Sequence, residues 1–240
     1  MNTIEKYLLQ NPAHIKEFSK RAYSYESYNI IQKEVARKLV CKISSKPKRI
    51  LDIGCGSGEI FKNIHWQTKL FVGVDLSKAM CKLHPKHEGV EIICADFEDK
   101  KLYRGLEKFA PFDLVISSSA LQWAKDIDKV FFKLSSLGEH WLFGIFCNKT
   151  FKTISKITSV PSILPNSKDV IDCAKKYKNC QFETIEYRLF FQDNLSKFRY
   201  IKKSGVSGGE KKLNYLQTKN LIKNYPLPYL EFEVLYISSI

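Results

Sequence analysis

Asp52, Asp75 and Asp96 each stand at the end of an apolar run, and a glycine-rich turn follows the first of them. Ile50-Leu51-Asp52-Ile53 leads into Gly54-Cys55-Gly56-Ser57-Gly58. A carboxylate buried without a partner is costly. Asp52 therefore needs one, and a ligand ammonium or hydroxyl is a natural choice. Glycines at alternate positions let the backbone turn tightly and approach a ligand closely. A dinucleotide fingerprint needs G-x-G-x-x-G, but here the third glycine comes one residue early and Glu59 follows it. A phosphate-binding loop needs Lys and Ser or Thr after its last glycine, and they are absent. Glu59 at a helix start also repels a pyrophosphate. Neither phosphate cradle fits.

These residues need elements to position them. Leu70 to Asp75 reads as a second strand whose terminal acid suits ribose hydroxyls, with Ser77 as N-cap of the next helix. A third strand, 90–95, runs into Asp96-Phe97, and a fourth, 112–118, into Ser119-Ala120-Leu121-Gln122-Trp123. With strands at 48–53 and 140–147, and helices near 57–66, 77–83, 101–109 and 124–136, the pattern is a β-α alternation. It requires an α/β fold with a doubly wound parallel sheet and right-handed crossovers. Ligands in such folds sit at the carboxyl ends of the strands, where Asp52, Asp75, Asp96 and Ser117 all fall. Ahead of the sheet, Phe18 to Val40 reads as helix, with an aromatic cluster that includes Tyr25 and with Tyr28 stapling it to the core. After Cys147 come helices at 150–158, 167–177, 194–204 and 210–223 and strands at 180–191 and 229–237. The last strand sets Glu231 and Glu233 on one face. We expect a single domain: a helical cap over 1–45, a binding core over 46–147, and a C-terminal part over 148–240 that ends in an edge hairpin.

The turn Leu51-Asp52-Ile53-Gly54-Cys55-Gly56-Ser57-Gly58 resembles the first motif of the class I S-adenosylmethionine (SAM) methyltransferases. That resemblance implies a mostly parallel seven-stranded Rossmann-like sheet with an N-terminal helical lid, and SAM as cofactor. SAM carries no phosphate, so the loop need not welcome an anion. The resemblance assigns Asp52, Gly54, Cys55, Gly56, Gly58, Asp75 and Leu76 to SAM. It sets Asp96 against the adenine amino group and Phe97 beside the ring. Ser117 and Ser118 face the methionine end, where the family often has Asn in place of Ser118. Three further stretches resemble the malonyl-[acyl-carrier protein] O-methyltransferases: Phe18 to Tyr25 with Gln32 and Val35 to Leu39, then Ala120-Leu121-Gln122-Trp123, then Leu195 to Gly205 with Arg199 and Lys202. Gly138-Glu139-His140 departs from their usual turn before strand five.

This second resemblance implies transfer of a methyl from SAM, leaving S-adenosylhomocysteine, to the free carboxylate of a malonyl group. The carrier is an acidic acyl-carrier protein bearing malonyl-phosphopantetheine, or coenzyme A, and the ester primes pimeloyl synthesis for biotin. Tyr25 is then a lid hydroxyl near the methyl, and Trp123 a wall of the acyl pocket. Arg199 or Lys202 pairs with the malonyl carboxylate or the phosphopantetheine phosphate. A carboxylic acid is already ionised at neutral pH, so no general base is required. Trans-aconitate methyltransferases share the Leu-Gln-Trp triplet, and an RNA-directed methyltransferase and a non-catalytic SAM-fold module remain open.

The net charge of +14 admits an acidic partner. Only six of the 39 basic residues are Arg (Arg21, Arg37, Arg49, Arg104, Arg188 and Arg199), whereas nucleic-acid readers lean on Arg. Nucleic acid is therefore not favoured. No apolar run nears the ~20 residues that span a bilayer, and Met1 to Glu17 carries acids without an apolar core. The seven cysteines include no C-x-x-C pair, which suits reduced thiols, no metal site and a cytoplasmic protein.

Overall fold

The computed structural model describes residues 28–204 and 213–239. Tyr25 and the rest of the expected cap before residue 28 lie outside the described residues, as does Gly205. The first described helix, α1 (Ile30–Cys41), leads to β1 (Arg49–Ile53), α2 (Glu59–Asn63), β2 (Leu70–Asp75), α3 (Lys78–Leu83) and β3 (Val90–Cys94). Then follow α4 (Lys100–Glu107), β4 (Phe112–Ser118), a 3-10 turn (Leu121–Trp123), α5 (Ile127–Ser135) and β5 (Gly138–Phe146). The last part holds α6 (Lys152–Thr158), α7 (Ser167–Ala174), β6 (Cys180–Phe190), α8 (Asn194–Ser204), α9 (Tyr215–Asn224) and β7 (Tyr229–Ser239).

The strands form one seven-stranded sheet in the order β3-β2-β1-β4-β5-β7-β6. The first five run parallel, and β7 lies antiparallel between β5 and β6. Alternation along the strands explains the two faces. Leu51, Ile53, Val72, Val74 and Val115 pack under α4, α5 and α7. Their neighbours Ile50, Phe71, Leu114 and Ile116 pack with Val35 and Leu39 of α1, Ile60 of α2 and Tyr200 of α8. The order of strands reverses between β1 and β4, which opens a crevice at their carboxyl ends.

Several elements differ from the sequence expectation, each for a local reason. The helix expected at 57–66 is only α2, because Gly58 precedes it at φ +89° and Ile64 is extended after it. The helix expected at 124–136 starts later, where the Asp126 carboxylate accepts the Lys129 N–H at 3.1 Å and caps α5. The residues before it form the 3-10 turn. The two late strands pair as expected, with helices α8 and α9 between them, and α9 starts at Tyr215 rather than 210. Glu231 and Glu233 do share a face, yet both are buried: Tyr225 Oη donates to Glu231 at 2.9 Å, and Lys149 N donates to Glu233 at 3.0 Å. Tyr28 does staple the start of α1, packing on the core and accepting a bond from Lys203 Nζ at 2.8 Å.

Candidate active site

The glycine turn leaves β1 and crosses the end of β2, where the Gly54 and Cys55 N–H groups donate to Val74 O at 2.7 and 3.0 Å. Gly54, Gly56 and Gly58 all have positive φ, at 75°, 54° and 89°. Each has a different surrounding. A Cβ on Gly54 would fall 2.1 Å from Ala120 Cβ, and one on Gly58 would fall 2.9 Å from His84 Nε2. A Cβ on Gly56 would meet nothing within 4 Å, so the turn opens to space there. Cys55 is buried with its sulfur over Gly73, where a side chain would meet it at 2.8 Å. The residue is a packed spacer.

Two carboxylates lie beside this turn. Asp75 caps the end of β2 and accepts the Gly56 N–H at 2.9 Å and the Ser77 N–H at 2.8 Å. Burial pushes its pKa up, and those two backbone bonds oppose the rise. Asp75 thus shapes the glycine turn, a task that its position in the sequence did not disclose. Asp52 is 1% exposed, and neither of its carboxylate oxygens has a hydrogen-bond partner among the described residues. Burial first, and then the neighbouring Asp75 charge, hold its pKa well above the usual carboxylate range. A buried carboxyl group with both oxygens unsatisfied, next to an open turn, is suited to receive a hydrogen-bond donor.

Around this centre the structure brings together most of the sequence-expected residues. Leu76 follows Asp75 and is half-buried before Ser77, whose hydroxyl caps α3 as expected. Ala95 N donates to Asp75 O, so Asp96 and Phe97 emerge beside the end of β2. Asp96 accepts the Glu98 N–H at 2.8 Å, and Phe97 packs half-buried on the core. The Glu98 carboxylate accepts the Lys125 and Asp126 N–H groups at 3.0 and 3.2 Å, which ties the loop after β3 to the loop after β4. Ser117 is fully buried and donates to Ile53 O at 2.6 Å. Its hydroxyl holds the end of β4 to the end of β1. Ser118 is the half-buried residue next to it, and Trp123 is half-buried on the opposite core from Phe97.

Arg199 and Lys202 are not brought into this centre: both are exposed on α8, whose inner face carries Lys197 and Tyr200. Sequence reasoning missed Ser119, which takes φ +58°, and Gln122, which is 7% exposed. The signal for Gln122 is the Leu-Gln-Trp triplet, which in the sequence carries only a family resemblance.

Comparisons with known proteins agree with this geometry. A family described as "Methyltransferase domain" matches residues 51–136, the span of β1 to α5. The chain is 30% identical over 219 residues to the malonyl-[acyl-carrier protein] O-methyltransferase of Bacillus cytotoxicus, covering 86% of this chain and 69% of that one. It is 31% identical over 156 residues to the protein of the same name from Anoxybacillus flavithermus, covering 62% of this chain and 56% of that one. This match therefore spans little more than half of that relative. Among solved structures, the phosphoethanolamine N-methyltransferase 2 of Haemonchus contortus, bound to S-adenosyl-L-methionine, superposes with a TM-score of 0.56. It covers 94% of this chain and 59% of that one at 17% identity, a likeness of fold alone. With a relative at this identity over most of both chains, and a sheet and glycine turn of the matching kind, the chain belongs to the malonyl-[acyl-carrier protein] O-methyltransferase family of SAM-dependent methyltransferases.

Proposed function

We infer that the crevice between β1, β2 and β4 binds SAM, and that the chain methylates the free carboxylate of a malonyl group carried on an acyl-carrier protein. The observation that carries the first half is Asp52, a buried and unpartnered carboxylate beside the open Gly56 turn. The amino-acid ammonium of SAM is the donor such a carboxylate lacks. Asp75 keeps lone pairs for the ribose hydroxyls while it holds the turn, with Leu76 beside it. Gly54, Cys55, Gly56 and Gly58 give the close backbone approach. Asp96 and Phe97 take the adenine, and Ser118 lies toward the methionine end with Ser117 bracing the strand beneath it.

SAM supplies a methyl already activated on a sulfonium. The malonyl carboxylate supplies an oxygen that is ionised at pH 7, so this chain need not move a proton. Its work is to hold the reacting groups in line and close together. In this reading Trp123 walls the acyl pocket, and Tyr25, which lies outside the described residues, is the candidate for a lid hydroxyl near the methyl; excluding water from the carboxylate would aid transfer. Because Arg199 and Lys202 are exposed on α8, we assign them to the carrier protein's surface or its phosphopantetheine phosphate, as charge-assisted contacts. We propose a cytoplasmic location as part of the same reading.

Mass spectrometry of malonyl-acyl-carrier protein after incubation with SAM tests the reading. One added methyl on the malonyl group is expected. Equal turnover of free dicarboxylic acids would assign an aconitate-type substrate instead, and methyl incorporation only in the presence of RNA would replace the carrier altogether.

A further inference from the structure

Ser119 lies just past the carboxyl end of β4 with φ +58°, a backbone state that L-residues other than Asn and Asp seldom hold unless their surroundings impose it. Two hydrogen bonds impose it. Ser119 N donates to Gly144 O of β5 at 2.8 Å, and Gln122 Nε2 donates to Ser119 O at 2.6 Å. The next residue, Ala120, is the one that touches the glycine turn: its Cβ stands 2.1 Å from where a Cβ on Gly54 would fall. The left-handed state of Ser119 thus decides how Ala120 meets Gly54. Gln122 is 7% exposed, and its Oε1 and the Ser119 Oγ are both buried without a partner among the described residues. A glutamine this buried, spending its donor on a strained carbonyl, is not a surface residue packed by chance.

We propose that Gln122 is a positioning residue for the site: its carboxamide locks the turn after β4 against the glycine turn and so fixes the two walls between which the ligand is held. The inference rests on the SAM reading for the identity of that ligand. With the donor gone, Ser119 relaxes toward an ordinary conformation, and Ala120 loses its seat on Gly54.

Gln122→Met keeps the length of the side chain and removes the donor together with Oε1, which has no partner among the described residues. Ser119→Gly removes the need for a donor, because glycine takes positive φ freely. Calorimetric affinity for S-adenosylhomocysteine and amide hydrogen exchange over 117–123 are measured for wild type, both single variants and the double variant. The expected result is that Gln122→Met binds about tenfold more weakly, the scale of one lost hydrogen bond. Its 119–123 amides exchange faster, and its melting temperature stays near that of wild type. Adding Ser119→Gly then returns affinity to within about threefold of Ser119→Gly alone, as expected for coupled neighbours. Wild-type affinity and exchange in Gln122→Met, or a double variant as weak as Gln122→Met, would overturn the proposal, since a side chain that only fills space is not rescued by a glycine three residues away. If wild type itself ignores S-adenosylhomocysteine, the SAM reading fails, and the exchange comparison, which needs no ligand, still decides whether Gln122 holds the turn.

Discussion

At the scale of single residues, the two aspartates beside the glycine turn do different work. Asp75 is bonded to the Gly56 and Ser77 N–H groups, so Asp75→Ala removes the brace of the turn and, on the proposed SAM reading, a ribose contact as well. Calorimetry is expected to show no measurable binding of S-adenosylhomocysteine to Asp75→Ala, with the circular dichroism of the folded chain retained. Asp52 carries the opposite balance. Its pKa is raised on folding, so between the unfolded carboxylate value of ~3.9 and its own raised value the folded chain holds a proton that the unfolded chain has released. Stability contributed at Asp52 is present below that window and declines as pH rises through it. Asp52→Asn is therefore expected to melt higher than wild type at neutral pH, with a flatter dependence of melting temperature on pH, while binding S-adenosylhomocysteine more weakly. A melting temperature that falls at neutral pH would show that the carboxylate is satisfied inside the ligand-free protein. The acids were legible in the sequence because each ends an apolar run and the glycines mark the turn. The orphaned state of Asp52 was not, because it depends on which groups the fold fails to bring near. Ser117 was legible as a strand-end residue, but its bond to Ile53 O joins positions 64 residues apart that no local pattern connects.

At the scale of elements, the β-α alternation and the positions of all seven strands could be read from periodicity and glycine placement. Helix limits could not, since caps such as Asp126 compete with nearby alternatives. The docking of α1 on the sheet was also hidden. It depends on Gly144 of β5, where a Cβ would meet Val35 Cγ1 at 2.6 Å and Leu39 Cδ1 at 3.3 Å. Val35 and Leu39 are both fully buried, so neither can swing aside. Gly144→Ala is expected to cost about 1–3 kcal/mol through overpacking, read as a lower denaturant midpoint with an unchanged slope. A compensating Val35→Ala change is expected to recover part of that loss, because the two sites share one contact.

At the scale of the whole molecule, the charge of +14 bears on solubility and on association with charged partners rather than on the fold. Exposed charges are screened over about 8 Å at physiological salt, so attraction to the acidic carrier proposed above would weaken as salt rises. The KM for malonyl-acyl-carrier protein is expected to rise several-fold between about 50 and about 300 mM salt, with kcat little changed. Arg199→Ala and Lys202→Ala are expected to flatten that dependence. A salt-independent KM would assign recognition to the acyl group alone. Among the described residues no helix is long and apolar enough to cross a membrane.

The outermost strand has a consequence of its own. β6 ends the sheet beside β7, and among the described residues one side of this eleven-residue strand has no neighbouring strand. Glu183 pairs there with Lys38 and Lys42, and Glu186 with Lys152 and Arg188. A second copy adding its own β6 in parallel register would bring like charges alongside, and any such pairing would crowd these ion pairs. The same surface charges are therefore expected to disfavour edge-to-edge pairing of crowded copies.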